Sequence, residues 1–492
     1  MKKGYQFLLC LLAVGMTAST LLSCGNEAAP AGGNDTQAAG NDVQEAETEP
    51  LDARKAIADE LPAYDAGGAT FTINCDANDL GWLYVEEENG DIVDDAIFRR
   101  NSTVSERFNV NFEYVGDLGY SDNANRITQS IKAGDDEYAL CCTHAVNTCI
   151  LALQDFFINW YDVPHVNFSK PWWAASTTED LSYNGVCVLA VGDYVLNALS
   201  CTYCMVYNKN LADDYDLGDI YQIVNDGKWT LEKMVSLNKD IYQDLNGNGV
   251  KDDEDFFGMT SDGRSNMETY LWCFGKKIIS KDSSGTLALT YYDEKTVDII
   301  NKLCAAFHDN QGLRVGDGWW YGIHRFEENQ TIFANASIDS ASGLRDLQAD
   351  YGIIPYPKWD EAQDRYYTMV DGAHGVLSIP TTCSDLERTG IIIEALNAEG
   401  YKTVTPTYYE TALKEKYARD AESIAMLDMI VASRVFDMGY IFDGWKGTGF
   451  YIEKLVPKND SNLASLWSKN EKAVTKHYQE VIDFFLDYED NH

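Results

Sequence analysis

Asp244-Leu245-Asn246-Gly247-Asn248-Gly249-Val250-Lys251-Asp252-Asp253-Glu254-Asp255 places oxygen-bearing side chains at loop positions 1, 3, 5, 9 and 12 and glycine at position 6. Calcium takes six to eight hard oxygen ligands, and glycine at the sixth position permits the sharp turn that gathers them. Asp244, Asn246, Asn248, Asp252 and Asp255 would supply side-chain oxygens, and Val250 a backbone carbonyl. Structural calcium is therefore the expected cofactor. The alternative is an acidic Asn-Gly turn on a very acidic chain. Asp255 stands where glutamate is usual, a shorter reach.

The chain has eleven tryptophans. A sugar has apolar C–H faces rimmed by hydroxyls, so a cleft that takes one needs flat aromatic plates and polar groups to exchange hydrogen bonds. Trp82, Trp272, Trp319, Trp320 and Trp445 read as loop or loop-edge residues and are the candidate plates, whereas Trp229 and Trp467 read as core. The polar candidates are Asp76 and His144 at strand ends, Asn147 within a helical turn of His144, and Asp193, Tyr194 and Asp339 in loops near chain crossings. Each has a structural alternative, as a core or turn residue. Cys201-Thr202-Tyr203-Cys204 has redox or metal spacing, but it opens an apolar run and has no second pair at zinc-finger spacing, which favours buried thiols. No Gly-x-Ser-x-Gly elbow or His-Glu-x-x-His helix is present, and no residue is assigned a catalytic role.

The elements that must position these residues alternate. Ala69–Asn74 reads as a strand, Ile92–Phe108 as a helix, Val110–Val115 as a strand, Asn123–Ala133 as a helix, Tyr138–Thr143 as a buried strand and Ala145–Phe157 as a helix. This order predicts an α/β fold with a largely parallel sheet, whose ligands sit beyond the carboxyl ends of the strands. A second α/β region begins at Tyr203, with a Thr230-capped helix expected to run to Tyr242 and a helix over Glu294–Asn310. Strands return at Tyr351–Ile354 and Val376–Ile379, a helix follows near Asp385–Glu399, and the tail from Tyr408 is mostly helical.

The chain opens with Lys2 and Lys3, a short apolar run and Leu21-Leu22-Ser23-Cys24-Gly25. The run is too short to span a bilayer and reads as an export signal over residues 1–23. Its end resembles a lipobox, which would make Cys24 the lipidated (palmitate-bearing) first residue of the mature protein. The alternative is an ordinary signal peptide that contains a cysteine. Residues 24–68 read as a flexible acidic stalk. The net charge of −40 excludes a nucleic-acid footprint and disfavours anionic lipid head groups.

Gly90-Asp91-Ile92-Val93-Asp94-Asp95-Ala96-Ile97-Phe98-Arg99-Arg100-Asn101, Lys170-Pro171-Trp172-Trp173, Val206-Tyr207-Asn208-Lys209, Gly227-Lys228-Trp229-Thr230 and Tyr351-Gly352-Ile353-Ile354-Pro355-Tyr356-Pro357 follow one another in an order that resembles the extracellular solute-binding proteins of sugar importers, the maltose-binding-protein-like family. The resemblance implies a type II periplasmic-binding-protein-like fold: two α/β lobes, hinge crossovers and a ligand gripped between them, with no catalysis. Lobe 1 would comprise 69–202 plus 375–400, and lobe 2 would comprise 203–374 plus 401–492 with its helical tail. It further implies a monomer on the extracytoplasmic face of the cell membrane that captures a mono- or oligosaccharide and delivers it to the membrane permease of an ATP-binding-cassette importer. The long tail, the cysteines and the calcium-like loop depart from maltose-type proteins, so ligand identity does not carry over. A lipid-anchored carbohydrate-active enzyme and a surface glycan-binding lipoprotein are the rival readings.

Overall fold

The computed structural model describes residues 51–408, 421–443 and 447–491. Cys24, the export segment and Trp445 lie outside these residues. In chain order the strands β1 (Ala69–Cys75), β2 (Val110–Val115) and β3 (Leu140–His144) begin one sheet. The strands β4 (Tyr203–Asn208), β5 (Tyr242–Gln243), β6 (Phe256–Asp262), β7 (Leu313–Gly316), β8 (Thr331–Ser337) and β9 (Tyr351–Ile354) build a second. The strand β10 (Gly375–Ser378) then returns to the first.

The first sheet has the order β10-β3-β1-β2, with β1 parallel to both neighbours and β10 antiparallel to β3. Phe71 and Ile73 of β1 are fully buried against the helix Ile92–Phe108 and its neighbours. That helix starts where the Asp91 carboxylate accepts from the Val93 and Asp94 N–H groups, and it stops at Asn109, held in the left-handed region with φ 50°. The second sheet runs β9-β4-β8-β6-β5, and β7 pairs in parallel with β6. Strands β4, β6, β8 and β9 are buried along their whole length, which explains the near-continuous apolar runs of β4 and β9, while β6 and β8 also enclose polar residues such as Asp262 and Asn335. Trp229 packs here as core, stacked on Phe333 with its indole N–H donating to the Pro355 carbonyl at 3.0 Å.

The chain passes between the sheets at three places. Thr202 pairs with Val370, the Asp371 N–H donates to the Cys201 carbonyl at 2.9 Å, and the helix Leu386–Glu399 runs on into a π-helical turn, Gly400–Val404. At that last passage Gly400 lies so close to the backbone of Asp193 that a β-carbon would stand 2.3 Å from its carbonyl oxygen, which excludes any side chain.

Several expectations are revised. The helix expected over Ala145–Phe157 is a single α-turn, Ala145–Thr148, followed by 3-10 turns over Cys149–Gln154. Its Cys149, Leu151 and Ala152 side chains are drawn into the core from a tighter spiral. The helix begun at Thr230 stops at Asn238, whose side-chain amide donates back to the Met234 carbonyl, and Tyr242 belongs to a strand. The stalk does not extend to residue 68. From Leu51 the chain is folded: Ile57, Leu61, Tyr64 and Ala66 pack on the first core, and Asp59 pairs with Arg107. These four residues at short spacing hold the segment against the core.

All ten described cysteines are free thiols, nine of them buried and Cys201 half-buried. Burial pushes the thiols up, Cys75 and Cys187 to about 12, so they remain protonated and poor nucleophiles. No helix among the described residues is long and apolar enough to cross a membrane.

Candidate functional site

The carboxyl ends of β1 and β3 and of β6, β7 and β8 carry the chain's convergent polar groups. On the first lobe, Asp76 follows β1 and accepts from the Asn123 side chain at 2.9 Å and from the His144 N–H at 2.7 Å. It is buried and ties the ends of β1 and β3 together, so its role is to position His144, a correction to its reading as a direct ligand group. Asp79 does the same for the hinge. It accepts from Asn197, whose side-chain oxygen in turn accepts from the Gly375 N–H. His144 closes β3 with its ring 5.0 Å from that of Tyr120, which is 40% exposed. Burial pulls the His144 imidazole down to about 4 in spite of the nearby Asp371 carboxylate, so at neutral pH it is uncharged and able both to donate and to accept. Asn147 lies in the turn that follows.

The second lobe contributes Asp262 at the end of β6. Its carboxylate accepts from the Arg264 N–H at 3.0 Å and from the Asn266 side chain at 2.5 Å, and the backbone N–H of Trp320 also binds it. Trp319 and Trp320 follow β7 and are 59% and 41% exposed, and the Arg264 guanidinium lies 5.6 Å from the Trp319 ring centre. Trp320 has φ 66°, a left-handed conformation that is costly for a bulky residue. What holds it is visible on both sides: Asp262 grips its N–H, and the next residue, Tyr321, donates its hydroxyl to Asp253, which also receives Arg314 at 2.6 Å. The acidic loop thus braces the turn that displays the two indoles. Asp339 sits in the first turn of the helix Ile338–Ser342, opened by a Ser337–Ser340 capping box.

Between the lobes, Tyr203 donates to Asp371, and Asp79, Asp339 and Asp371 all act electrostatically on Cys201 at the crossing. Residues of both lobes therefore converge on the hinge floor. Glu268 lies just inside the second-lobe wall, fully buried, with the Glu453 carboxyl beside it. Burial, Glu453 and Asp371 push its carboxyl well above the usual carboxylate range.

Other sequence candidates lie elsewhere. Trp272 is 1% exposed, inside the helix Ser265–Cys273, with its N–H donated to Asp437 at 2.8 Å and its ring edge-on to Tyr440. It is core, since every residue from Asn266 to Cys273 is buried. Tyr194 is core as well, under the Arg100 guanidinium at 4.5 Å. Asp193 lines a cavity beside the hinge, away from the strand ends. Trp82 is half-buried, edge-on to Tyr408, and contributes only its free rim. Asp79, Tyr120, Arg264, Glu268 and Glu453 were not anticipated. The polar run Asp262-Gly263-Arg264-Ser265-Asn266 at the end of a buried strand is the signal that could have found the second-lobe group.

In the acidic loop, Asp244 accepts from the Gly247 and Gly249 N–H groups at 2.7 and 2.8 Å, and the Asn246 and Asn248 amides both face Asp252. The groups that would hold an ion are carboxylate and amide oxygens with the Val250 carbonyl, an all-oxygen set that fits calcium. Asp255 is buried and accepts from Tyr242 and from the Leu245 and Asp252 N–H groups, so it would have to share its carboxylate with an ion. No group of three or more His, Cys, Asp or Glu side chains among the described residues is gathered as for a metal.

Solved structures share this architecture. The ABC substrate-binding protein Lmo0181 from Listeria monocytogenes, in complex with cycloalternan, matches with a TM-score of 0.53 at 12% identity, over 84% of this chain and 99% of its own. The GacH receptor of Streptomyces glaucescens, solved unliganded and in complex with acarbose and an acarbose homolog, matches with a TM-score of 0.53 at 11% identity, over 85% and 99%. The fold is the type II periplasmic-binding-protein-like α/β fold with a helical C-terminal region. No protein-family model matches the sequence, and no curated protein matches it.

Proposed function

We propose that this chain is an extracytoplasmic substrate-binding protein, not an enzyme, that grips a mono- or oligosaccharide between its two lobes and delivers it to a membrane importer. The observation that carries the reading is the Trp319-Trp320 turn: two exposed indoles, one in a costly backbone conformation, braced beside Asp262 and Arg264 at the strand ends. Flat apolar plates beside hydrogen-bonding groups are what a sugar needs. Both solved counterparts were captured with saccharide-type molecules, cycloalternan and acarbose, which supports the same class here.

Thermal-shift measurement of the purified protein against sugars, short peptides and polymeric glycans tests this. A sugar at a hundred times its Kd is expected to stabilise the protein by about 2.7 kcal/mol. Stabilisation by polymer alone would favour a surface glycan holder, and cleavage of the added oligosaccharide would establish an enzyme.

The anchor reading places Cys24 as the lipid-bearing residue, supported by Leu21-Leu22-Ser23 before it. Metabolic labelling with a fatty-acid probe is expected to mark the wild type and spare Cys24→Ala. Equal labelling of the two would remove the anchor.

The loop 244–255 is proposed to hold calcium through Asp244, Asn246, Asn248, Val250, Asp252 and Asp255, an ion that would supply only cross-linking charge. Asp244→Ala is expected to lower Tm with calcium present and to leave it unchanged with chelator. A wild-type Tm indifferent to chelation would make the loop a plain turn.

A further inference from the structure

We infer that a second small-molecule site lies beside the hinge, a cavity between the two lobes that takes a compact organic carboxylate with an apolar body. The cavity holds about 500 Å³, within the range of small-ligand pockets. Val195, Leu196, Leu199 and Val431 line much of it, and the polar groups are few and placed together. In a chain with 78 acidic and 38 basic residues, two arginines, Arg54 and Arg434, reach this one cavity, which also receives Asp193 and Asp428.

Arg54 is the specific anion contact. Its guanidinium is held over the Tyr401 ring at 4.7 Å and has no ion pair or hydrogen bond among the described residues. An arginine stacked on an aromatic face keeps its N–H edge free, the edge that binds a carboxylate with two parallel hydrogen bonds. The Thr405 hydroxyl lies in the same wall, within hydrogen-bonding reach of the Asp193 carboxyl, and adds a neutral polar group beside the arginine. Burial pushes the Asp193 carboxyl up to about 7 despite the two arginines, so near neutral pH it is partly protonated and repels an incoming anion less.

Arg54 and Asp193 belong to the side of the first sheet, whereas Val431 lies in, and Arg434 just after, the helix Ala421–Ala432 that packs on β9 of the second. An occupant touches both sides of the hinge. It would bias lobe closure, and the cleft ligand would change its affinity by the same factor.

Calorimetric titration of the purified protein with 3-phenylpropanoate and its neutral amide decides the matter. The acid is expected to bind at least about tenfold more tightly than the amide. Arg54→Met keeps the stem on Tyr401 and removes the fork. It is expected to weaken the acid by about tenfold or more. Ala432→Trp, at an exposed rim position, is expected to block binding, and Trp320→Ala in the cleft is expected to leave it unchanged. No titration by the acid up to about 10 mM, where even fragment-weak binding shows, would overturn the site. So would equal binding of acid and amide, or an Arg54→Met variant as tight as wild type. Loss of binding in Trp320→Ala would move the acid to the cleft.

Discussion

Trp272→Ala is expected to cost about 3 to 5 kcal/mol of folding stability while leaving ligand affinity unchanged in the fraction that remains folded. The indole is 1% exposed, so its removal opens a large void that the surrounding helix Ser265–Cys273 cannot collapse to fill. The loss is not only volume. Trp272 donates to Asp437 at 2.8 Å, and that same carboxylate accepts from the N–H groups of Ile278 and Gly439, so one fully buried acid would lose a donor while staying desolvated. Urea unfolding of wild type and variant measures the difference. A cost under about 1 kcal/mol would mean that the ring is not core. A changed affinity with an unchanged midpoint would return Trp272 to the cleft.

Trp320→Ala is expected to weaken sugar binding by about ten- to a hundredfold, equivalent to about 1.4 to 2.8 kcal/mol, with little loss of stability. The ring is 41% exposed in the free protein, so little packing is forfeited when it goes, and the turn is held by backbone and by Tyr321 rather than by the indole. Trp319→Ala should act in the same direction. Trp467→Ala is the control: its ring stacks on Tyr292 at 5.0 Å in the tail, and its loss should lower stability without touching affinity. Calorimetry with the sugar identified by thermal shift reads all three. If Trp320→Ala and Trp319→Ala both bind like wild type, the ligand does not use this turn.

The unequal fate of the tryptophan readings has a simple cause. Trp272 and Trp320 both stand near polar residues in the sequence, and in both cases the local pattern suggests a loop. Trp319 and Trp320 follow Gly316-Asp317-Gly318, a segment with no apolar period, and remain exposed. Trp272 follows Asp262 to Thr269, a polar stretch that turns out to be a buried helix whose Asn266, Glu268 and Thr269 face inward. Hydropathy cannot tell a polar loop from a helix whose polar side chains are enclosed by tertiary contacts.

Most of the strand and helix order, the Thr230 cap, the buried runs of β4 and β9, the position of His144 at a strand end and the loop placement of Trp320 were determined by the sequence alone, because each depends on residues within a few positions of one another. Tertiary structure decided the rest. Asp76 became a clamp because Asn123 and the His144 N–H, 47 and 68 residues away, arrive beside it. Tyr194 became core because Arg100 covers it, and Asp193 went to the hinge cavity because Gly400 lets the third crossing pack against its backbone. Burial and partner identity are set by contacts between distant segments, and a side chain's charge state and exposure follow from those contacts rather than from its neighbours in the chain.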